Sequence, residues 1–207
     1  MHPNPIYRSS ERDACLEFAR EVGFGVLAIS VAEAAPLISH VPFVVTESGD
    51  VEMHLVRSNP ITRAAGGPVA ARLAVQGPHG YVSPDWYGME HQVPTWNYVA
   101  VHLTGVLEPL PDEALRGALD RLSDVFETRL QPKPVWTSDK MPEEAMARLM
   151  RMIRPYRLRV EAAEGTWKLA QNKPEAARLG AAEGLAASGI GAEVQSLAAL
   201  MRDWREV

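Results

Sequence analysis

The sequence predicts an α+β fold, an antiparallel sheet or barrel of about six strands with peripheral and C-terminal helices. Three features predict it. Between Phe24 and Arg57 the apolar residues follow a strand-like period through three successive segments with no helix between them. Glu47-Ser-Gly-Asp50 carries the residues of a hairpin turn. After a first helix, sustained helical spacing returns only late, from Asp112 and again from Lys173, so the regular strand–helix alternation of a doubly wound parallel sheet is missing from Phe24 to Arg57.

The elements follow in order. Ser9 to Val22 reads as a helix: Ser10 is a capping residue, and Cys15, Phe18, Ala19 and Val22 fall on one stripe. Phe24–Val31 and Leu37–Thr46 read as strands, the second with Leu37, Val41, Phe43 and Val45 on one face. Val51–Arg57 returns through the turn, with Met53 and Leu55 as core residues. Asn59-Pro60 ends it before a short helix over Ile61–Ala65, and Val69–Gln76 is the next strand. Gly77 to Pro94 reads as loop. Thr95–Leu107 is a long strand in which Gly105 marks a bend or bulge. Asp112–Leu130 and Pro142–Ile153 are predicted helices. Tyr156–Ala163 and Thr166–Ala170 read as a hairpin over Glu164-Gly165, and Lys173–Ala187 and Ala192–Trp204 close the chain as helices.

The chain has 207 residues, 46% of them hydrophobic, which fits one domain over 1–207 with a helical extension from about 173. Its net charge of −5 disfavours a globally basic nucleic-acid binder. The single cysteine, Cys15, excludes an internal disulfide and, on the apolar stripe, reads as a core thiol. The first twenty residues have no apolar signal core and no segment is a membrane span, so a soluble cytoplasmic protein is expected. The six histidines lack metal-ligand spacing, and no metal is expected.

Chemistry-bearing residues cluster in three places. His40 and His54 flank the first hairpin. They share the face opposite the core if the loop has an odd number of residues or carries a bulge, whereas a strict two- or four-residue loop sets His40 opposite Arg57; the sequence does not choose. Periodicity alone slightly favours a solvated face there. His54-Leu-Val-Arg57-Ser-Asn59-Pro60 gathers an imidazole, a guanidinium, a hydroxyl and an amide before a helix start, a donor set suited to a mononucleotide phosphate. There is no G-x-G-x-x-G, P-loop or nucleophile elbow. Tyr81, Trp86, Tyr87, Trp96 and Tyr98 form an aromatic cluster suited to a planar ring or stacked nucleobases, with a core or a subunit interface as the default reading. Arg148, Arg151 and Arg154 recur at helical spacing, either as a DNA-facing stripe or, with Arg157 and Arg159, as a solvated face paired to Glu143, Glu144 and Glu161.

Four segments together resemble the PaiB-type family of FMN-binding negative transcriptional regulators. They are His54-Leu-Val-Arg-Ser-Asn-Pro60, Gln76-Gly-Pro-His-Gly-Tyr-Val-Ser-Pro-Asp-Trp-Tyr87, Val93-Pro-Thr-Trp-Asn-Tyr98 followed by His102 and Gly105, and Trp167-Lys-Leu-Ala-Gln-Asn172. Tyr7 to Gly25 and Ser39-His-Val-Pro-Phe43 also fit. The resemblance implies a six-stranded antiparallel FMN-binding split β-barrel, similar to pyridoxamine phosphate oxidase, that dimerises with itself and holds FMN between subunits. It implies that Ser39, His40, His54, Leu55, Arg57, Ser58 and Asn59 face the phosphate and ribityl chain. Trp96, Asn97 and Tyr98 would line the flavin or the dimer seam, and Lys168, Gln171 and Asn172 would approach the flavin, from the partner subunit. The stretch Gly88-Met-Glu-His-Gln92 departs from the family in being short and free of lysine. The family's regulator label leaves two roles open, a DNA-bound regulator using Arg148, Arg151 and Arg154, or a flavin-dependent oxidoreductase. A flavin-free barrel holding haem or a small anion is the remaining alternative.

Overall fold

The structure is a computed structural model that describes residues 1–9 and 11–204; Ser10, the expected helix cap, lies outside them. The strands are β1 (Arg8–Ser9), β2 (Phe24–Ile29), β3 (Leu37–Val45), β4 (Val51–Val56), β5 (Val69–Val82), β6 (Thr95–Pro109), β7 (Ile153–Lys168) and β8 (Gly191–Ala192). The helices are α1 (Arg12–Val22), α2 (Pro60–Ala64), α3 (Leu115–Thr128), α4 (Glu143–Met150), α5 (Glu175–Ser188) and α6 (Val194–Asp203). The sheet order is β1-β7-β4-β3-β2-β5-β6, with β8 on β5 and a further pairing of β7 with β6. Every pair whose register is described is antiparallel. The α+β antiparallel fold read from the sequence is the one formed.

Three of the boundaries that differ from the sequence reading are instructive. First, β5 does not stop at Gln76 but runs through the expected loop to Val82. Its distal half is glycine-rich because another backbone comes close: His79 and Gly80 pair with Ala192 and Gly191. A Cβ on Gly80 would lie 2.6 Å from Leu185. Second, Glu164-Gly165 is not a turn, and β7 is continuous from Ile153 to Lys168. β1 pairs across that point, Ser9 with Gly165 and Arg8 with Thr166. Gly165 is small because the Trp167 ring lies over it, 1.9 Å from where a Cβ would sit. Third, α4 ends at Met150, and Ile153 already belongs to β7. At Gly105, read as a bend or bulge, another backbone comes close: a Cβ there would fall 1.9 Å from the Arg159 carbonyl oxygen.

The chain groups into two compact units. Unit 2 comprises Leu16–Val75 and Leu103–Ala163. Its core is the inner face of β2, β3, β4 and the start of β7, with Leu27, Phe43, Leu55, Tyr156 and Leu158 buried. Strand alternation explains this, since apolar residues recur at every second position. Glu52 is buried in β4 and is held by Arg121 of α3 at 2.5 Å and Arg157 of β7 at 3.2 Å. Both arginines keep half-exposed guanidinium groups, so the buried carboxylate is paired and hydrogen-bonded, the condition under which a buried charge is tolerated.

Unit 1 comprises Met1–Cys15, Gln76–His102 and Glu164–Val207. Cys15 is fully buried, and its thiol pKa is pushed up by burial and then by Glu11 and Glu164, as a core thiol requires. Helices α5 and α6 pack together here. Buried Arg178 of α5 donates to the carbonyls of Met201 and Arg202 at the end of α6, and its guanidinium lies 5.5 Å from the Trp204 ring. Gly180 and Gly184 form the α5 face on which Trp86 rests.

Candidate functional site

The chemistry-bearing residues of unit 2 come together through one hairpin. Phe43 pairs with Met53, Val44 with Glu52 and Val45 with Val51, so the connection Thr46 to Asp50 has an odd number of residues. This is the register that sets His40 and His54 on the same face. In β2, Phe24, Val26 and Ala28 pair with Pro42, His40 and Ile38 and therefore belong to that outer face too. Much of that face is open to solvent, as periodicity favours, but it is apolar as well as polar. Phe24, Ile38 and Val56 are 51%, 62% and 47% exposed, and the Phe24 ring stacks on His40 at 6.4 Å. His54 is half-buried, and burial pushes its imidazole pKa below the ordinary value.

The strand end supplies the polar groups. Asn59 accepts from the Ile61 amide at 2.9 Å, which starts α2, and donates to the Ser39 hydroxyl at 3.0 Å, which ties α2 to β3. Arg57 meets Asp112 at 2.8 Å and donates to the Arg151 carbonyl at 3.0 Å. Both partners of that ion pair are well exposed, so it is weak and the guanidinium can exchange it for another anion. Ser58 and His40 are exposed. Leu55 is a core residue, buried beneath the site.

The remaining expected residues lie in unit 1. Trp96 is exposed beside His79 at 5.8 Å and Tyr81 at 6.5 Å. Tyr98 is half-buried. Asn97 is only 1% exposed; its amide nitrogen donates to Met201 Sδ at 3.4 Å, and its Oδ1 has no partner. Lys168 donates to the Thr95 hydroxyl at 2.5 Å, lies 6.0 Å from the Tyr7 ring, and has its pKa pushed down by burial. Gln171 is spent on the backbone: it accepts from the Leu169 amide and donates to the carbonyls of Ile6 and Trp167. It shapes the turn in which Ala170 takes a φ of 61°. Asn172 is exposed at the rim of a cavity of about 150 Å³ that Asn97 and Lys168 also line.

Sequence reasoning missed Tyr7, Thr95 and Lys173 as members of this cavity. Lys173 approaches Gln92 and lies 5.3 Å from the Tyr87 ring. An ammonium thus reaches the lysine-free stretch Gly88 to Gln92 from a distant segment, which no local pattern reveals. The arginine stripe, by contrast, does not form. Arg148 is in the last turn of α4 and Arg151 is its cap, but Arg154 is in β7, opposite Leu55 and 6.0 Å from the Tyr156 ring. Arg157 pairs with Glu52 and Arg159 with Glu161.

Residues 1–162 match the family described as "Putative FMN-binding domain". The chain is 26% identical over 178 residues to protease synthase and sporulation protein PAI 2 of Bacillus subtilis, covering 84% of each chain. Among solved structures it is similar to the FAD and heme binding protein from Mycobacterium smegmatis, with a TM-score of 0.58 at 19% identity over 89% of this chain and 82% of that one. It is also similar to the flavocytochrome Anf3 from Azotobacter vinelandii, with a TM-score of 0.54 at 10% identity over 81% and 72%. At such identities the structural likeness speaks for the fold alone, whereas the family match and the Bacillus relative run along most of the chain. Together with the hairpin-borne cluster and the antiparallel sheet, they identify this chain as a member of the PaiB-type FMN-binding family.

Proposed function

We propose that this protein binds FMN as a homodimer, with the phosphate and ribityl end held by Ser39, His40, His54, Arg57, Ser58 and Asn59. The observation that carries the reading is the outer face of β2, β3 and β4, where exposed Phe24, Ile38 and Val56 surround the two histidines. A polar cluster set in an exposed apolar surface suits a seam that a second copy covers, with a partly charged ligand at its margin. The donor set fits a phosphate monoester: one exchangeable guanidinium, an exposed hydroxyl and an exposed imidazole. Leu55 acts from the core, by fixing the hairpin. Trp96 and Tyr98 are assigned to the flavin ring or the seam, where an exposed indole favours a planar partner.

When bound, FMN would supply redox chemistry. The residues of the chain bind and orient it, and half-buried His54 presents a neutral imidazole near neutral pH. The regulator role has less support, because the helix that would carry Arg148, Arg151 and Arg154 as one stripe ends at Met150.

The test is a visible-absorption titration of the purified chain with FMN and FAD, followed by mass analysis of the released flavin. FMN uptake with a shifted, structured band is expected, and Arg57→Ala together with Ser58→Ala should weaken it about tenfold, the loss expected of charge-assisted bonds to phosphate. Failure to take up FMN overturns the reading. A Soret-region band in its place moves the assignment to haem.

A further inference from the structure

We infer that the cleft between α3, α4 and the segment joining them binds a small neutral aromatic molecule, held by Trp136, Met141, Met146 and Met150. The site shares no residue with those assigned to FMN and does not depend on flavin binding.

The site stands on three observations. First, two helix faces converge on one space. Arg116, Leu119, Asp120 and Ser123 recur at i, i+3, i+4 and i+7 on α3, and Met146, Leu149 and Met150 at i, i+3 and i+4 on α4. With Ile153 they line a cleft of about 220 Å³ that opens to solvent, wholly within unit 2. Trp136, Ser138 and Met141 form its third side, from the segment 129–142. Bonds made within that segment and to α3 hold this wall in place. The Trp136 amide donates to Glu127 at 2.8 Å, Lys133 donates to the same carboxylate, and Lys140 donates to the Val135 carbonyl at 2.9 Å.

Second, the polar part of the wall is closed on itself and carries no surplus charge. Arg116 donates to Asp120 at 3.2 Å and to the Ser138 hydroxyl at 2.5 Å, and Ser138 donates to Asp120 at 2.7 Å. An anion entering the cleft would meet Asp120 and a cation would meet Arg116. A neutral molecule has no such conflict and does not have to give up the hydration of a charge.

Third, the apolar part is rich in thioethers. Three of the chain's eight methionines line this one cleft, beside an indole. Met146 is buried at its base, whereas Trp136, Met141 and Met150 are only half-buried and Leu149 is 47% exposed. Apolar lining left in water is area that a ligand can cover with a gain in free energy. Thioether sulfur adds a favourable contact with an aromatic ring, and the indole adds another. A saturated ring of the same size gains the burial alone.

The probe is phenol, titrated against the full chain by ligand-detected NMR. Cyclohexanol serves as the saturated analogue and benzoate as the charged one. Phenol should bind, with cyclohexanol and benzoate each about tenfold weaker. Met141→Leu with Met150→Leu conserves the volume of the wall. It should weaken phenol about fivefold and leave cyclohexanol unchanged, with the far-ultraviolet dichroism of the natural chain. Trp136→Leu should weaken phenol about tenfold and serves if the double variant does not fold. The inference is overturned by no phenol binding, by cyclohexanol or benzoate binding as well as phenol, by folded variants without effect on phenol, or by displacement of phenol by FMN. Loss of FMN uptake with phenol binding intact would remove the flavin reading alone.

Discussion

At the scale of single residues, His54 shows how burial sets chemistry. Its position on β4 is outward by alternation, yet it is half-covered, and that lowers its pKa. The folded state therefore binds its proton less readily than the unfolded chain. The sign follows: stability is intact above the unfolded value of about 6.5 and is lost as the pH falls from there to the lowered folded pKa. Denaturant melts between about pH 7.5 and pH 5 should show this loss in the natural chain, and His54→Gln should reduce the pH dependence. Equal slopes in the two proteins would mean that the imidazole is not buried as described. Arg57 and Asn59 were legible as candidates because strand ends and helix starts collect such side chains. Asn97 was legible only as part of a motif. Its amide nitrogen is buried against Met201, a residue distant in sequence.

At the scale of elements, glycine placement records close approaches rather than flexibility. Gly184 sits inside α5, where alanine is favoured by about 1 kcal/mol on propensity alone. A Cβ there would fall 2.3 Å from the Trp86 indole. Gly184→Ala should therefore destabilise the protein by about 1–3 kcal/mol, the usual cost of overpacking. In a Trp86→Ala background the same change should become neutral or stabilising, which thermal melts of the four-member cycle would reveal. Additive effects would show that the helix does not rest on the indole. The same physics explains the misread hairpin at Glu164-Gly165. Glycine between polar residues is the ordinary mark of a turn, but here it makes room for Trp167 within an unbroken strand.

At the scale of the whole molecule, the outer face of β2, β3 and β4 leaves Phe24, Ile38 and Val56 exposed in one chain. Sedimentation of the purified protein should give a dimer. Ile38→Arg or Val56→Arg should shift it toward monomer and lower FMN uptake together, while far-ultraviolet dichroism stays unchanged. A monomer in the natural chain would remove the seam from the proposal. No helix among the described residues is long and apolar enough to cross a membrane.

The sequence by itself determined the secondary structure of the first hairpin, the short helix after Asn59, the buried thiol of Cys15 and the family. These depend on local period, capping chemistry and motif order, which a chain carries wherever it folds. Tertiary structure alone decided the register that unites His40 with His54, the continuation of β5 and β7, the break-up of the arginine stripe, and the arrival of Lys173 beside Gln92. Each of these depends on which distant segments come into contact. Contacts of that kind are chosen by the free energy of the packed whole, which no local pattern encodes.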